Sequence, residues 1–392
     1  MKKNLFLTAL LTLCILPTFA QEKTEEEKPS LFEQLFKRKN KKDWISIVMH
    51  TKASLDLESM NHTFQKGTFS ADQLRIDIRG EVLPNLTYRY QQRLTNVPSM
   101  NEGTADNFAA SIDYAILTYQ FNPHFRIQAG KMCVAYGGFE IDANPIDIYQ
   151  YSNMVMHSIG FLTGVDFGFY INPDQEFRLQ ILNGRADSYA NTYGILPEHI
   201  TPAKMDMVYT LNWNGKMGKN KQFLTRWSAS YLNQAKGKHT YMASLGTAYK
   251  GKKWGTYLDL MYSNEDIDRK RIVSNLVREQ SGGQNLMNTT YFTAVHHLNL
   301  RVHPQWNLFV KNSYDRASLG HDTQWLNKGV IQEIWSYGGG VEYYPFKKLD
   351  LHFNVAYTGR KYFNNNQVKS MGADPGKPTG LEFSIIWAMK VL

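Results

Sequence analysis

From Trp44 to the C-terminus, apolar and polar side chains alternate with a period of two residues in one segment after another. From Leu349 to Thr358, for example, every second residue is Leu, Phe, Val or Tyr, and the residues between are mostly polar. A period of two is typical of a β-strand whose two faces meet different surroundings. The alternation predicts sixteen strands, at residues 44–58, 72–82, 86–95, 109–121, 125–134, 163–171, 176–183, 205–214, 223–234, 240–250, 254–263, 290–302, 306–315, 333–344, 349–358 and 380–390. Most are close to the ~9–11 residues that a tilted strand needs to cross the hydrocarbon of a bilayer.

The connections alternate as well, between tight turns and long loops. Every second connection is short, as at Leu83-Pro84-Asn85, Asn122-Pro123, Asn172-Pro173-Asp174, Lys250-Gly251-Lys252, His303-Pro304-Gln305 and Pro345-Phe346-Lys347. The others are mostly long, notably 135–162, 184–204, 264–289, 316–332 and 359–379. This arrangement is typical of outer-membrane barrels, whose short turns face the periplasm and whose long loops face outside. We therefore predict an all-β fold, a transmembrane antiparallel β-barrel of about 16 strands.

Hydropathy and composition exclude other classes of protein. Mean hydropathy is −0.43, and no uninterrupted apolar run after residue 20 is long enough for a transmembrane helix, which excludes a helical membrane bundle. An aromatic content of 13% argues against a disordered chain. Two cysteines are too few for a disulfide scaffold.

The N-terminus carries an export signal. Lys2 and Lys3 precede an apolar run from Leu5 to Leu16, and a small residue, Ala20, ends the segment. This pattern predicts a cleaved signal peptide at residues 1–20. Its removal lowers the formal charge from +9 to +7, and an exported chain does not meet nucleic acid, so we expect no nucleic-acid partner. Residues 21–43 form a periplasmic tail, interpreted either as a flexible segment or as a short docking helix, and residues 44–392 form the barrel.

On each predicted strand, the polar residues of the alternation share one face. That face predicts which side chains line the water-filled interior. Ten bases and nine acids fall on that face, so net charge alone predicts no strong ion selectivity. The candidate pore-lining residues are Arg75, Arg79, Arg89, Arg93, Arg126 and Arg178. The first five fall on one sector of the predicted wall. Two interpretations stay open: the arginines attract anions, or they pair with acids such as Asp77 and Asp113 and stiffen the wall.

The loop at 135–162 is too aromatic for an ordinary exterior loop and too irregular for a strand. It follows Gly130-Lys131 and contains Tyr136-Gly137-Gly138-Phe139-Glu140 and Asn144-Pro145. In these residues, and in the Ala115–Phe121 strand with its Asn122-Pro123 turn, the chain resembles the phosphate-selective porin O/P family of outer-membrane channels. The sixteen-strand layout over residues 44–392 agrees with that family.

The resemblance implies a homotrimeric channel with a loop folded inward that narrows the pore. The constriction residues it implies are Tyr136, Glu140, Asp142, Tyr149 and Tyr151. The alternative is that the Tyr and Gly residues simply pack the loop against the wall. Two features depart from the family pattern: a dense ladder of interior bases is missing, and the chain ends on Leu392 instead of an aromatic residue.

The sequence therefore predicts a porin in the bacterial outer membrane that passes small hydrophilic solutes by diffusion, with anions such as phosphate as candidates. We expect outer-membrane lipid and small solutes or anions as partners, and no cofactor, no metal and no enzymatic activity. His296 and His297 point to opposite strand faces, and the Gly338-Gly339-Gly340 run lies inside a strand. An alternative function is an adhesin or an accessory of a nutrient-uptake complex, in which the tail 21–43 and the loop 264–289, including Arg269-Lys270-Arg271, are the candidate docking segments.

Overall fold

A computed structural model describes residues 45–95, 107–372 and 375–392. The predicted signal peptide, the tail and Trp44 lie outside these residues. The described chain forms sixteen strands: β1 Ser46–Met60, β2 Thr63–Leu83, β3 Leu86–Arg93, β4 Ile112–Asn122, β5 Phe125–Cys133, β6 Phe161–Asn172, β7 Gln175–Asn183, β8 Met207–Met217, β9 Phe223–Ala235, β10 Lys238–Lys250, β11 Trp254–Ile267, β12 Met287–His303, β13 Trp306–Leu319, β14 Gly329–Tyr343, β15 Asp350–Asn364 and β16 Pro378–Lys390. Each pairs antiparallel with its neighbours in sequence, and β1 pairs with β16, so the sheet is a closed barrel.

The register places the two parities of each strand on opposite faces of the wall, as predicted. On β15 and β16 the outward residues include Phe353, Val355, Phe383 and Ile385, each more than 40% exposed. The inward residues Asn354 and Ser384 are buried and hydrogen-bonded to each other, Nδ2 to Oγ, at 2.5 Å. Apolar side chains outside and polar side chains inside are what a barrel in lipid requires, because water occupies only its interior.

One predicted loop is wrong. The predicted strands 44–58 and 72–82 leave a connection at 59–71, but β2 begins at Thr63 and its pairing with β1 runs as far as the pair Met60 and Thr63. The turn consists of Asn61 and His62, both with positive φ, at 51° and 69°. Two successive residues in this left-handed region form the type of tight turn that suits the twist of a two-stranded hairpin.

The long-loop end of the barrel contains a packed apolar core. The ten neighbouring strands β5–β14 each contribute at least one buried interior residue, such as Leu182, Leu232 and Val295. Loop residues including Val273 and Val277 complete this core. The described loop residues also carry four short helices, α1 Asn153–Met156, α2 Tyr189–Tyr193, α3 Ile272–Leu276 and α4 Asn366–Ser370, and a 3-10 turn at Pro145–Asp147. Charged interior residues of β1, β2, β3 and β16 lie outside the core.

In the described part of the chain, no helix combines the length and the apolar character needed to cross a membrane.

Candidate functional site: the barrel interior and its inserted loop

Four of the predicted arginines lie together on the interior face of β2 and β3. Arg75 is directly opposite Arg93, and Arg79 is directly opposite Arg89 in the register. Alternation places them there, since residues two apart on a strand share a face. We call these four residues, with Asp77 and Asp113, the arginine wall.

One half of the arginine wall is organised around Asp113, whose carboxylate is fully buried. It forms ion pairs with Arg75 at 3.4 Å and with Arg93 at 3.0 Å. A bulge between Gln91 and Gln92, where β3 meets β4, brings Asp113 to the interior. Because the two guanidiniums flank a buried carboxylate, this half is both braced and positively charged.

The other half is organised around Asp77, which accepts a pair of hydrogen bonds from each of two guanidiniums. Arg79 donates from Nε and Nη2 at 3.0 and 2.6 Å, and Arg89 donates at 3.1 and 2.9 Å. Bidentate pairs of this kind fix the position of both guanidiniums. The Arg79 side chain is nevertheless 58% exposed, whereas Asp77 is 2% exposed. Arg79 therefore presents its charge to the water of the interior, and its counter-charge lies beneath it.

Arg126 and Arg178 lie in a separate cluster on β5–β7, and not with the arginine wall as the sequence suggested for Arg126. Arg126 pairs with Asp166 at 2.9 Å and with Glu176 at 2.7 Å, and Arg178 pairs with Asp166 at 2.7 Å. Two bases and two acids cancel here. In contrast, the four arginines and two aspartates of the arginine wall leave two positive charges in excess.

Both interpretations of the arginines thus have a counterpart in the geometry. All six candidate arginines form ion pairs, as a stiffened wall requires. The excess charge on β2 and β3 and the exposure of Arg79 are what attraction of an anion requires.

The loop between β5 and β6, residues 134–160, enters the barrel; we call it the inserted loop. Its first part is fastened to β9 and β11. The Gly138 N–H donates to Arg226 O at 3.0 Å, and the N–H groups of Phe139 and Glu140 both donate to Asp259 Oδ2, at 2.8 and 2.9 Å. Gly138 has φ of +81°, and a Cβ there would lie 3.1 Å from Asp259. Glycine is needed at this position because the backbone is left-handed and passes close to the wall.

Residues 141–151 of the inserted loop project into the interior, and we call them the inner excursion. Glu140 lies at the point where the inner excursion begins and ends. Its carboxylate is fully buried and accepts hydrogen bonds from Ser152 N at 2.9 Å and Ser152 Oγ at 2.5 Å. The ammonium group of Lys311 on β13 donates a hydrogen bond to the same carboxylate. Removing one partner from a buried ion pair costs about 3–5 kcal/mol. Glu140 therefore holds the two ends of the excursion together and ties them to the wall; we call Glu140, Ser152 and Lys311 the clasp.

The excursion crosses to the opposite side of the barrel. Gln73 of β2 donates to Pro145 O at 3.2 Å, and Asn144 lies 3.3 Å from the Nδ1 of His50 on β1. The chain then returns past β14 and β15. Tyr149 donates its hydroxyl to Glu342 at 2.8 Å, and Arg360 donates to Tyr151 O at 2.7 Å. Contacts on β1, β2, β14 and β15, together with those on β9 and β11, mean that the inserted loop spans the interior.

The five predicted constriction residues have different surroundings. Tyr136 is buried in the apolar core, where its carbonyl accepts a hydrogen bond from Ser228, and Glu140 is buried in the clasp described above. Tyr149 stacks on Phe309, with ring centroids 4.5 Å apart, and Tyr151 is half-buried. Asp142 is the most exposed of the five and pairs with Arg226 at 2.6 Å. Tyr136 and Glu140 thus anchor the loop, and Asp142 faces the open space.

The β11–β14 side of the interior has an excess of acids. Asp259, Asp315 and Glu342 lie there with Glu140 of the loop, near Lys311. Asp315 accepts hydrogen bonds from Thr293 Oγ1 at 2.6 Å and from Met154 N at 3.3 Å, and so fixes α1. Asp315 is not among the interior residues predicted from the sequence, although it alternates with the outward Tyr314 and Arg316. The interior therefore has a positive side on β2–β3 and a negative side facing it.

Comparison with protein families decides the identity of this barrel. The model of the family described as phosphate-selective porin O and P matches residues 52–383, most of the chain. The chain belongs to the phosphate-selective porin O and P family. The resemblance seen in the sequence is thereby confirmed, and so is a channel in the bacterial outer membrane as its function.

Solved porin-like barrels share the fold of this porin family member at low sequence identity. OmpF of Salmonella typhi, solved with daunomycin, has a TM-score of 0.55 and 10% identity over 88% of this chain and 97% of that chain. In-vitro folded OmpT of Vibrio cholerae has a TM-score of 0.54 and 9% identity over 88% and 97% of the two chains. A trimer form of the same OmpT has a TM-score of 0.50 and 11% identity over 88% and 100%. The search of curated proteins finds no match. The predicted sixteen-strand barrel is confirmed.

Proposed function

We propose that the arginine wall gives this outer-membrane channel a preference for small anions, and that the inserted loop narrows the path along the wall. The observation that carries the proposal is the arrangement around Asp77. Two guanidiniums bind one buried carboxylate, and Arg79 is open to water. The pore-lining role of Arg75, Arg79, Arg89, Arg93, Arg126 and Arg178 is part of the same proposal.

The packed core supports the path along the arginine wall. Buried apolar residues occupy the interior beside β5–β14 at the long-loop end, which leaves the charged strands β1–β3 and β16 for a hydrated solute. Asp77 also keeps the affinity of the site for anions low. An anion at Arg79 and Arg89 meets a net charge of one, not two, and a channel must release its ions as readily as it admits them.

We propose further that the channel works by passive diffusion as a homotrimer, without a cofactor and without catalysing a reaction. Membership in a porin family supports a passive channel, and the trimer form of the structurally similar OmpT supports the assembly. The adhesin alternative has less support. Lys270 is buried and donates to Glu265, and Arg269 donates to Gly184 O, so two of the three basic residues suggested for docking in the loop 264–289 are engaged inside the protein. The other candidate docking segment, the tail 21–43, lies outside the described residues.

A zero-current potential tests the anion preference of the wild-type channel. With KCl at unequal concentrations across a planar bilayer, an anion-preferring channel lets chloride diffuse toward the dilute side, so the concentrated side becomes positive. We expect that sign, and we expect added phosphate to reduce the chloride current because both anions use the same guanidiniums. A negative concentrated side, or a chloride current indifferent to phosphate, would contradict the proposal.

A further inference from the structure

Six exposed lysines form one patch at the short-turn end of the barrel. Three lie at the β8–β9 hairpin turn and the adjoining strand end, and three lie at the β10–β11 hairpin turn and the adjoining strand end; they are Lys216, Lys219, Lys221, Lys250, Lys252 and Lys253. We call this patch the lysine rim. A backbone hydrogen bond from Lys250 N to Gln222 O, 2.7 Å long, joins the two turns. In the described structure the rim makes an ion pair at Lys221, with Asp174 at 2.8 Å, which leaves a strongly positive surface.

The lysine rim adjoins a cluster of outward aromatic side chains. Phe223 and Trp254 are 47% and 44% exposed on the barrel exterior. Tyr249 lies between them, with ring centroids 5.3 Å from Phe223 and 4.4 Å from Trp254. On the neighbouring strands Trp213 stacks on Phe177 at 6.1 Å. Rings of this kind lie at the boundary between hydrocarbon and headgroups in outer-membrane barrels. The ammonium groups next to them are therefore at the depth of the lipid headgroups.

The chemistry of the rim suits a lipid surface better than a protein partner. Lysine ammoniums are hydrated point charges on flexible chains, which follow mobile phosphates without a fixed geometry. Lysine is depleted in the cores of protein interfaces, where aromatic residues and arginine prevail. The Debye length is about 10 Å at 0.1 M salt, so headgroup charge acts on the ammonium groups where the two are adjacent, and not at longer range.

We propose that the lysine rim binds the headgroups of anionic phospholipids in the leaflet at the short-turn end and enriches them around β8–β11. Each ammonium group neutralises headgroup charge, and the adjacent aromatic rings contact the glycerol region of the same lipids. This binding is independent of the channel function.

The test compares lipid association of the full-length barrel reconstituted in bilayers that mix phosphatidylglycerol with phosphatidylcholine. Spin-labelled lipids report the ratio of the two lipids at the protein surface. The rim variant carries Lys219→Gln, Lys252→Gln and Lys253→Gln. The matched control carries Lys236→Gln, Lys328→Gln and Lys369→Gln, which removes three exposed lysines at the long-loop end. We expect wild type and control to enrich phosphatidylglycerol severalfold, and the rim variant to lose most of that enrichment.

Raised KCl concentration tests the same proposal without a substitution, because it should lower the enrichment for the wild-type protein as well. Equal enrichment in the rim variant and wild type would overturn the proposal. An equal loss in the control would also overturn it, since net charge alone would then explain the effect. Soluble glycerol phosphate should not displace the lipid; displacement would show a site for a free anion in place of a lipid surface.

Discussion

Replacing Arg79 by Gln should lower the anion preference of the channel, and replacing Asp77 by Asn should raise it. The two residues touch each other, so a merely structural disturbance at this place would shift selectivity in the same direction for both. Charge predicts opposite directions, because one variant removes a positive charge from the arginine wall and the other removes its counter-charge. A unit charge about 8 Å from a passing ion contributes roughly 0.5 kcal/mol in water-like surroundings and more at lower dielectric, so the chloride-to-potassium permeability ratio should change about two- to sixfold.

The measurement is the zero-current potential in a KCl gradient for both variants and for Arg316→Gln. Arg316 is exposed on the outward face of β13, opposite Phe292 in the register, so this control removes the same charge without changing the interior. We expect wild-type selectivity from the control. If Arg79→Gln and Asp77→Asn shift the potential in the same direction, or leave it unchanged, the arginine wall does not act as an anion path.

Excising the inner excursion of the inserted loop should raise the single-channel conductance on the order of twofold, since a wider lumen offers less resistance to ions. The structure suggests where to cut. Glu140 and Ser152 touch at the base of the excursion, so replacing residues 142–150 by two glycines keeps the clasp to Lys311 and the anchors to Asp259. The barrel itself should stay folded, because its strand pairs are untouched.

A matched control shortens a different loop. Residues 279–282 lie at the mostly exposed tip of the 268–286 loop, outside the interior. Replacing them by two glycines should leave the conductance at its wild-type value. A conductance that stays the same after excision of 142–150 would mean that the inserted loop does not narrow the path, and that its tyrosines serve packing alone.

Alternation was sufficient to predict the strands because the bilayer imposes it. Where a strand faces lipid on one side and water on the other, each second residue must be apolar, as on β15 and β16. Residues 63–71 of β2 do not follow this alternation. They are mostly polar, with Gln65, Lys66 and Ser70, and the two phenylalanines, Phe64 and Phe69, are an odd number of positions apart in the chain. The sequence therefore predicted a loop where the hairpin continues.

The sequence predicted that the arginines share the interior face, but it did not predict which side chains they contact, and it did not include Asp315. Parity placed the arginines and Asp77 on one face, because a face follows from local spacing. The clasp of Glu140 with Lys311 joins residues 171 positions apart, and the pairing of Arg126 with Glu176 joins residues 50 positions apart. Such pairs depend on the closure of the barrel and on the path of the inserted loop. Neither produces a periodic pattern in the sequence from which the pairs could be predicted.

The most direct measurement is a single-channel recording of the wild-type protein in a planar bilayer. A water-filled barrel predicts discrete upward steps of current that scale with salt concentration and appear without any energy source, since ions cross by diffusion. Trimers would show these steps in groups of three. A purified, folded barrel that inserts into the bilayer and conducts no ions would contradict the account.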